Sequence, residues 1–199
     1  MSHAADLFKR KFLLAALPDV PFDGWTNELM ARTAKRLKLS DEKLRRSFPS
    51  GIEGLVVYFF EWATAETLRQ LEKKDLNAVR VRDRITLGVR TQLEILQPRK
   101  QEFSAAMAFL ALPPRNFLLP RMLWHAADKL WWAAGDTATD YNHYTKRLLL
   151  AGVITSTTLY WLNDASKGQE QTWAFLDRRI ENVLKIGQKI ARFKKRKEN

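Results

Sequence analysis

Apolar positions recur at helical spacing almost from the start of the chain. Between Ala4 and Leu17, the residues Leu7, Phe8, Leu14 and Leu17 gather near one face while Lys9, Arg10 and Lys11 fall elsewhere, so the spacing predicts an amphipathic first helix stopped by Pro18. After a turn at Asp23-Gly24, Thr26 is placed to cap a second helix carrying Leu29, Met30, Ala34 and Leu37 and ending near Lys38. Glu28 sits in its first turn, where the helix dipole favours an acid. Ser40 then caps a short third helix over about 41–48, which Pro49-Ser50-Gly51 breaks.

From Ile52 to about Lys74 the run LVVYFFEWA has local strand character, but no second strand is available to pair with it, and its length predicts a helix. Two helices follow, over 82–96 and 102–112, parted at Gln97-Pro98 because the residue before a proline resists the helical region. Pro113-Pro114 closes the second. A helix over 116–134 holds Pro120 near its start, where proline is tolerated, and ends at Gly135 in a left-handed cap. The next begins at Asp136 or Thr139 and reaches Leu162; 163–168 reads as a loop, and a last helix runs from about Gln169 into the tail KKRKEN. No internal repeat or linker interrupts this pattern. Eight glycines and seven prolines in 199 residues are too little turn chemistry for a many-stranded sandwich or barrel, so the fold class is all-α.

Composition narrows the chemistry. With no cysteine, disulfides, thiolate zinc sites, iron-sulfur clusters and cysteine nucleophiles are excluded. The balance of 34 Lys and Arg against 22 Asp and Glu, a formal charge of +12, favours polyanionic neighbours, nucleic acid or an anionic membrane. The six apolar residues between Lys11 and Pro18 are too few for a secretory signal core. The longest uncharged stretch, the 15 residues Leu148 to Leu162, is too short to span a bilayer and predicts a buried helix instead.

Enzyme motifs are missing: there is no GxSxG elbow, phosphate loop, GxGxxG or HExxH. Asp136, Asp140 and His143 stand four and three residues apart and could share a helix face as metal ligands. The plainer reading, Asp136 as a helix cap and Asp140 near the positive helix end, needs no metal and is preferred. No cofactor and no catalytic residue is expected. His125 with Asp128 reads as a hydrogen-bonded pair.

The second and third helices, joined through Lys38-Leu39-Ser40, read as a helix-turn-helix. Thr26, Met30, Ala34, Leu37, Ser40, Leu44 and Phe48 give this stretch the pattern of a TetR-type DNA-binding head, which it resembles. Glu42 stands where a small residue is usual and Arg45 where a phosphate-contacting Tyr is usual. Asp41 and Glu42 would face phosphates, an effect that Lys43, Arg45 and Arg46 only partly offset, so DNA is not an expected partner. A ligand-responsive DNA-binding regulator of TetR type is the alternative reading. Further on, the helices from Met107 to Trp132 and from Leu148 to Trp161 are apolar around most of their circumference. Periodicity alone favours a solid core there, but Phe109, Leu110, Leu123, Trp131, Leu148 and Trp161 would equally line a cavity for a polyprenyl chain.

The run WWAAGDTATDYNHYTKR from Trp131 to Arg147, followed by LLLAGV, resembles the coenzyme Q nine family, lipid-binding accessory proteins of ubiquinone biosynthesis. Asp164-Ala165-Ser166, the run TWAFLDRRI from Thr172 to Ile180, and Gly24-Trp25-Thr26 fit the same family in order, so the resemblance covers nearly the whole chain. It implies a TetR-like all-helical fold, a homodimer that does not regulate transcription, and an isoprenoid quinone precursor or phospholipid held in the helical C-terminal region. The chain then divides into a helix-turn-helix-like head over 1–50 and a lipid-binding and dimerisation region over 51–199, one continuous compact unit. The implied partner is the di-iron demethoxyubiquinone hydroxylase, met by a surface patch of Asp140, Asn142, His143, Tyr144, Lys146 and Arg147. His143 stands where animal members have Trp, Tyr141 where they have Phe, and Lys146 where they have Arg. A bland reading remains for these residues too: Asp140 favours the helix dipole, and His143 with Arg147 are solvated neighbours one helical turn apart.

Animal members continue into an amphipathic membrane helix, whereas this chain ends in the cluster Lys189, Arg192, Lys194, Lys195, Arg196 and Lys197. Those residues either attract an anionic membrane surface, at about 1 kcal/mol each, or form a frayed tail. The lack of a transit segment predicts a bacterial cytoplasmic protein peripheral to the inner membrane, or one on the matrix side of the mitochondrial membrane if the chain is eukaryotic.

Overall fold

Local signals set most helix ends. The computed structural model describes residues 3–76, 78–136 and 141–198, with side chains for 4–76, 78–136 and 143–185. Among the described residues there are helices and no strand. Helix α1, His3–Ala16, ends in a 3₁₀ turn at Leu17–Asp19, and a single further turn, α2, Val20–Asp23, follows. The apolar pattern does not predict α2; Pro21 is accommodated in its first turn, where no backbone N–H is needed. At Gly24 the backbone takes φ +65°, giving the expected turn. Thr26 Oγ1 accepts the Leu29 N–H at 3.2 Å to start α3, Asn27–Arg36, and Ser40 Oγ accepts the Lys43 N–H at 3.4 Å to start α4, Asp41–Ser47. Both caps were legible in the sequence.

The VVYFF stretch lies within α5, Gly51–Glu72, as its length predicts. Then come α6, Val81–Leu96, a 3₁₀ turn at Pro98, and α7, Lys100–Ala111. Helix α8, Leu118–Ala133, carries Pro120 in its first turn. It stops at Gly135, φ +89°, whose N–H bonds the Trp132 carbonyl at 2.9 Å while the Asp136 N–H bonds the Trp131 carbonyl at 3.0 Å. That pair of bonds is the Schellman arrangement, which satisfies carbonyls the helix end would leave open. Helix α9, Tyr141–Leu162, and α10, Glu170–Glu198, complete the order; of the two expected starts of α9, Thr139 lies among 137–140, outside the described residues, and Asp136 is described between α8 and α9 but in neither helix.

The chain forms two compact units, Met1–Glu66 with Ile95–Met122 and Thr67–Glu94 with Leu123–Asn199, with no boundary at residue 50. In the first unit, Phe12 and Leu13 of α1, Leu17 of the turn after it, Leu29 of α3, Leu55 and Phe59 of α5, and Phe103 and Leu110 of α7 are buried. The Trp25 indole N–H donates to the Glu102 carbonyl at 3.2 Å, tying the α2–α3 turn to α7. Burial, with the hydrogen bond from Tyr58 Oη to Asp6 at 2.9 Å, pushes the Tyr58 phenol well above its ordinary pKa, so it stays neutral.

In the second unit, Leu71, Ile85, Val89, Ala127, Leu130, Leu150, Val153, Ile154, Leu176 and Ile180 form one core. Helix α6 approaches α8 at Gly88, where a Cβ would meet Leu130 Cδ2 at 2.9 Å. Helix α9 departs from the expectation of an all-round buried helix. Its inner face carries Leu150, Val153, Ile154, Thr157 and Trp161, but Leu148 and Leu159 point outward, 67% and 51% exposed. A Cβ on Gly152 between them would touch nothing. Among the described residues no helix is long and apolar enough to cross a membrane.

Candidate functional site

The chain stretch singled out by its sequence becomes, in the fold, a charge network around a buried arginine, with a stacked pair of aromatic rings on the same two helices. Arg147 lies on the inner side of α9, only 3% exposed. Its Nε meets Asp128 Oδ1 of α8 at 2.5 Å, and its terminal nitrogen meets Asp136 Oδ2 at 3.2 Å and the His143 carbonyl at 3.1 Å. The other Asp136 oxygen takes the Lys146 Nζ at 2.7 Å. That ammonium stands 5.4 Å over the Trp131 ring, and the Trp131 indole N–H donates to the Lys146 carbonyl at 3.0 Å. Two cations and two carboxylates thus offset one another, and a buried guanidinium so matched costs little.

This network corrects one reading of the sequence. Arg147 is no solvated neighbour of His143 but a buried link between α8 and α9, because its carboxylate partners lie outside its own helix. Asp136 spends its carboxylate on Lys146 and Arg147, so both oxygens are held by cations. Among the described residues no group of three or more His, Asp or Glu is arranged to hold a metal ion, and Asp140, the third member of the triad considered, lies outside them.

Above the charges, Tyr144 is 63% exposed and stacks on Trp124 of α8 with ring centroids 6.1 Å apart. The His143 ring meets Tyr144 edge-on at 5.2 Å. Of the six residues expected to face a partner, His143, Tyr144 and Lys146 reach the surface, Arg147 does not, and Asp140 and the Asn142 side chain lie outside the described residues. Trp124 was missed. In the sequence it is one more apolar residue of α8, and only the fold brings it under Tyr144.

An apolar cavity of about 160 Å³ lies among α6, α8, α9 and α10, lined by Val81, Arg82, Ile85, Trp131, Leu150, Val153, Ile180, Val183 and Leu184. Val81 and Leu184 are also exposed, so the cavity opens at the surface there. Of the six residues expected to line a lipid site, Trp131 lines this cavity. Leu148 points outward, Trp161 is fully buried, and Leu123 packs against the second unit's core. Phe109 and Leu110 belong to the first unit, Leu110 in its core and Phe109 under the Arg115 guanidinium at 4.1 Å. Periodicity identifies a helix's apolar face, but not which residue of that face borders empty space; Ile85, Leu150, Val153 and Ile180 do so here. A shallower groove of about 450 Å³ runs along Leu68, Leu71, Leu76 and the 70%-exposed Trp132, rimmed by Glu72, Lys74 and Asp75.

The last wall of the cavity, α10, is anchored at its start by Asp164. Its carboxylate accepts the Ser166 N–H at 2.8 Å, the Thr172 N–H at 2.9 Å and the Thr172 hydroxyl at 2.5 Å. Burial raises the pKa of this carboxyl, but the bonds from Ser166 and Thr172 outweigh it and hold Asp164 well below the usual carboxylate range. The backbone of α10 continues to Glu198, while the side chains of Lys189, Arg192, Lys194, Lys195, Arg196 and Lys197 lie outside the described residues.

Residues 118–187, which carry α8, α9, the charge network and most of the cavity wall, match the family model COQ9. The chain is 33% identical over 191 residues to the mitochondrial ubiquinone biosynthesis protein COQ9 of Bos taurus, covering 90% of this chain and 58% of that protein. It is 31% identical over 186 residues to the Homo sapiens protein of the same name, covering 90% and 58%, and 31% identical over 185 residues to that of Drosophila melanogaster, covering 91% and 56%. The chain therefore spans somewhat over half the length of these relatives.

Proposed function

This chain is a relative of the COQ9 family along nine-tenths of its length, and on that premise we propose that it is a non-catalytic lipid-binding accessory protein of ubiquinone biosynthesis. In this reading it works as a homodimer, takes a prenylated quinone precursor from the membrane and presents it to the di-iron demethoxyubiquinone hydroxylase. The observation that carries the reading is the cavity: its wall is apolar, and Trp131, Leu150, Val153, Ile180, Val183 and Leu184 all fall within the segment that matches the family.

Size limits what the cavity takes as it stands. A dry cavity of about 150 Å³ admits benzene, so about 160 Å³ holds one five-carbon isoprene unit. Sites for whole small molecules run to roughly 300–1,000 Å³. A longer chain enters only if α10, which forms the outer wall, swings away from α6.

The platform of Trp124, Tyr144 and His143 is the surface offered to the hydroxylase, and the outward Leu148, Gly152 and Leu159 of α9 are the surface offered to a second copy. The basic end of α10 meets anionic lipid, and the site of action is the cytoplasmic face of a bacterial inner membrane. The rival reading as a DNA-binding regulator gains nothing from α4, where Arg46 is tied to Glu42 at 2.5 Å beside a second acid, Asp41.

Organic extraction of the natively purified chain, with mass spectrometry of the extract and of the intact complex, tests the proposal. A prenylated quinone precursor or phospholipid at about one per chain is expected. A chain that purifies empty and takes up no such lipid from vesicles would remove the lipid-binding role.

A further inference from the structure

The corner between α7 and α8, within the first unit, is apolar on its outside. After α7 ends at Ala111, Leu112-Pro113-Pro114 leads into a 3₁₀ turn, Arg115–Phe117, from which α8 starts directly. Leu112 is 62% and Phe117 66% exposed, and Pro113, Pro114 and Pro120 are exposed with them. A single exposed apolar side chain, such as Phe22, is ordinary on a protein surface. Five within the nine residues 112–120 make a patch, and a patch marks a surface that meets something.

The backbone of the corner suits an apolar medium. Hydrocarbon cannot bond an N–H, and each one left unpaired in it is costly. Pro113, Pro114 and Pro120 have none, the Arg115 N–H bonds the Leu112 carbonyl at 2.9 Å, and the Leu118 N–H bonds the Arg115 carbonyl. The charge suits an anionic boundary. Residues 103–122 hold two arginines, Arg115 and Arg121, and no acid. Arg115 lies over the Phe109 ring at 4.1 Å and reaches Glu53 of α5 at 3.4 Å, so that acid offsets it in part. Arg121, one helical turn beyond Phe117, is exposed. A cation beside an apolar patch matches the layer of a bilayer where lipid phosphates overlie hydrocarbon. A protein partner would ask for more: protein interfaces carry about one hydrogen bond per 100–200 Å², and between Leu112 and Arg121 Asn116 is the one uncharged polar side chain.

We propose that this corner is a membrane-insertion site: Leu112, Pro113, Pro114 and Phe117 enter the interfacial layer of a lipid bilayer, and Arg121 stays among the head groups. The site goes beyond the membrane contact placed on the basic end of α10, because its hold is mainly apolar. It is also independent of what the cavity among α6, α8, α9 and α10 contains.

The chain has no cysteine, so Phe117→Cys in the full-length chain carries one environment-sensitive dye at a chosen place. Ala65→Cys is the reference, exposed on α5 twelve residues beyond Glu53 and so about 18 Å further along that helix. With vesicles of phosphatidylglycerol and phosphatidylcholine, the dye at 117 is expected to shift to the blue, brighten and become shielded from an aqueous quencher, and the dye at 65 to stay unchanged. Leu112→Ser combined with Phe117→Ser should unfold at the native temperature, since both side chains are exposed, and should weaken partitioning roughly tenfold or more. That loss should persist at high salt and on phosphatidylcholine alone, where attraction through the basic end of α10 is screened or absent.

A dye at 117 that remains in water while the chain sediments with vesicles would overturn the proposal. So would a folded double variant that partitions like the native chain. A blue shift at 117 that grows with protein concentration in the absence of lipid would overturn it in favour of a second copy of the chain on this corner. If the native chain binds no vesicles at all, this contact and the one on α10 fall together.

Discussion

Arg147 ties α8 to α9, and its removal separates two kinds of role within one motif. Arg147→Ala would leave Asp128 without its cation and Asp136 with Lys146 alone, and is expected to destabilise the chain by about 3 kcal/mol, measured by urea unfolding. Tyr144→Ala removes an exposed ring and one stacking contact, so it should cost about 1 kcal/mol or less while weakening hydroxylase binding in a pull-down or titration. If Arg147→Ala unfolds no more readily than the native chain, the burial assigned to that network is wrong. Asp164 gives a prediction in pH. Its folded-state pKa lies below the unfolded value of about 3.9, so its contribution to stability is present above that pH and fades as pH falls toward the folded value. Asp164→Asn should therefore be less stable than the native chain at neutral pH, with the gap narrowing in acid; a gap that is constant or widens would contradict the assignment. The motif lies within the stretch that matches the family, but it does not reveal the burial of Arg147. Nothing local marks an arginine as buried when its partner carboxylates lie 19 and 11 residues back along the chain.

Helices were legible wherever their ends carry their own chemistry. Thr26, Ser40 and Gly135 each satisfy backbone groups that a helix end leaves open, and each bond is made within a few residues, so sequence reading finds it. The length of α5 outweighed the strand character of VVYFF for the same local reason. What the pattern could not give was the environment of a face: α9 is apolar on both sides of its axis, and only packing decides that Leu150 is inside and Leu148 outside. Two glycines test that environment. At Gly88→Ala the new methyl meets buried Leu130, and overpacking of roughly 1–3 kcal/mol should match or exceed the gain of about 1 kcal/mol in helix propensity. At Gly152→Ala nothing opposes the methyl, so thermal unfolding should show a gain of up to about 1 kcal/mol. Should the outer face of α9 join two copies closely, Gly152→Ala would instead loosen the dimer in sedimentation, and the two measurements together separate a free face from a covered one.

Charge is distributed unevenly over the molecule as a whole. Of the 34 lysines and arginines, seven fall in the last fifteen residues beside a single acid, Glu198, so that end of the chain supplies half of the formal +12. A near-surface basic residue contributes about 1 kcal/mol to binding an anionic membrane. Replacing Lys194, Lys195, Arg196 and Lys197 together by glutamine should therefore weaken binding to phosphatidylglycerol-containing vesicles by up to about a thousandfold at low salt. The loss should be smaller at physiological salt, where the Debye length shortens to about 8 Å, and absent on vesicles of phosphatidylcholine alone. The cavity opens beside Ile180, Val183 and Leu184 on the same helix, so membrane capture through its basic end and ligand entry would act on one element. Extraction of lipid from vesicles should then fall in step with vesicle binding in the quadruple variant, because none of the four residues lines the cavity itself. If vesicle binding survives the replacement, the attraction lies elsewhere on the surface, with Lys9, Arg10 and Lys11 of α1 as the next cluster to neutralise, and α10 would carry the cavity wall without carrying the anchor.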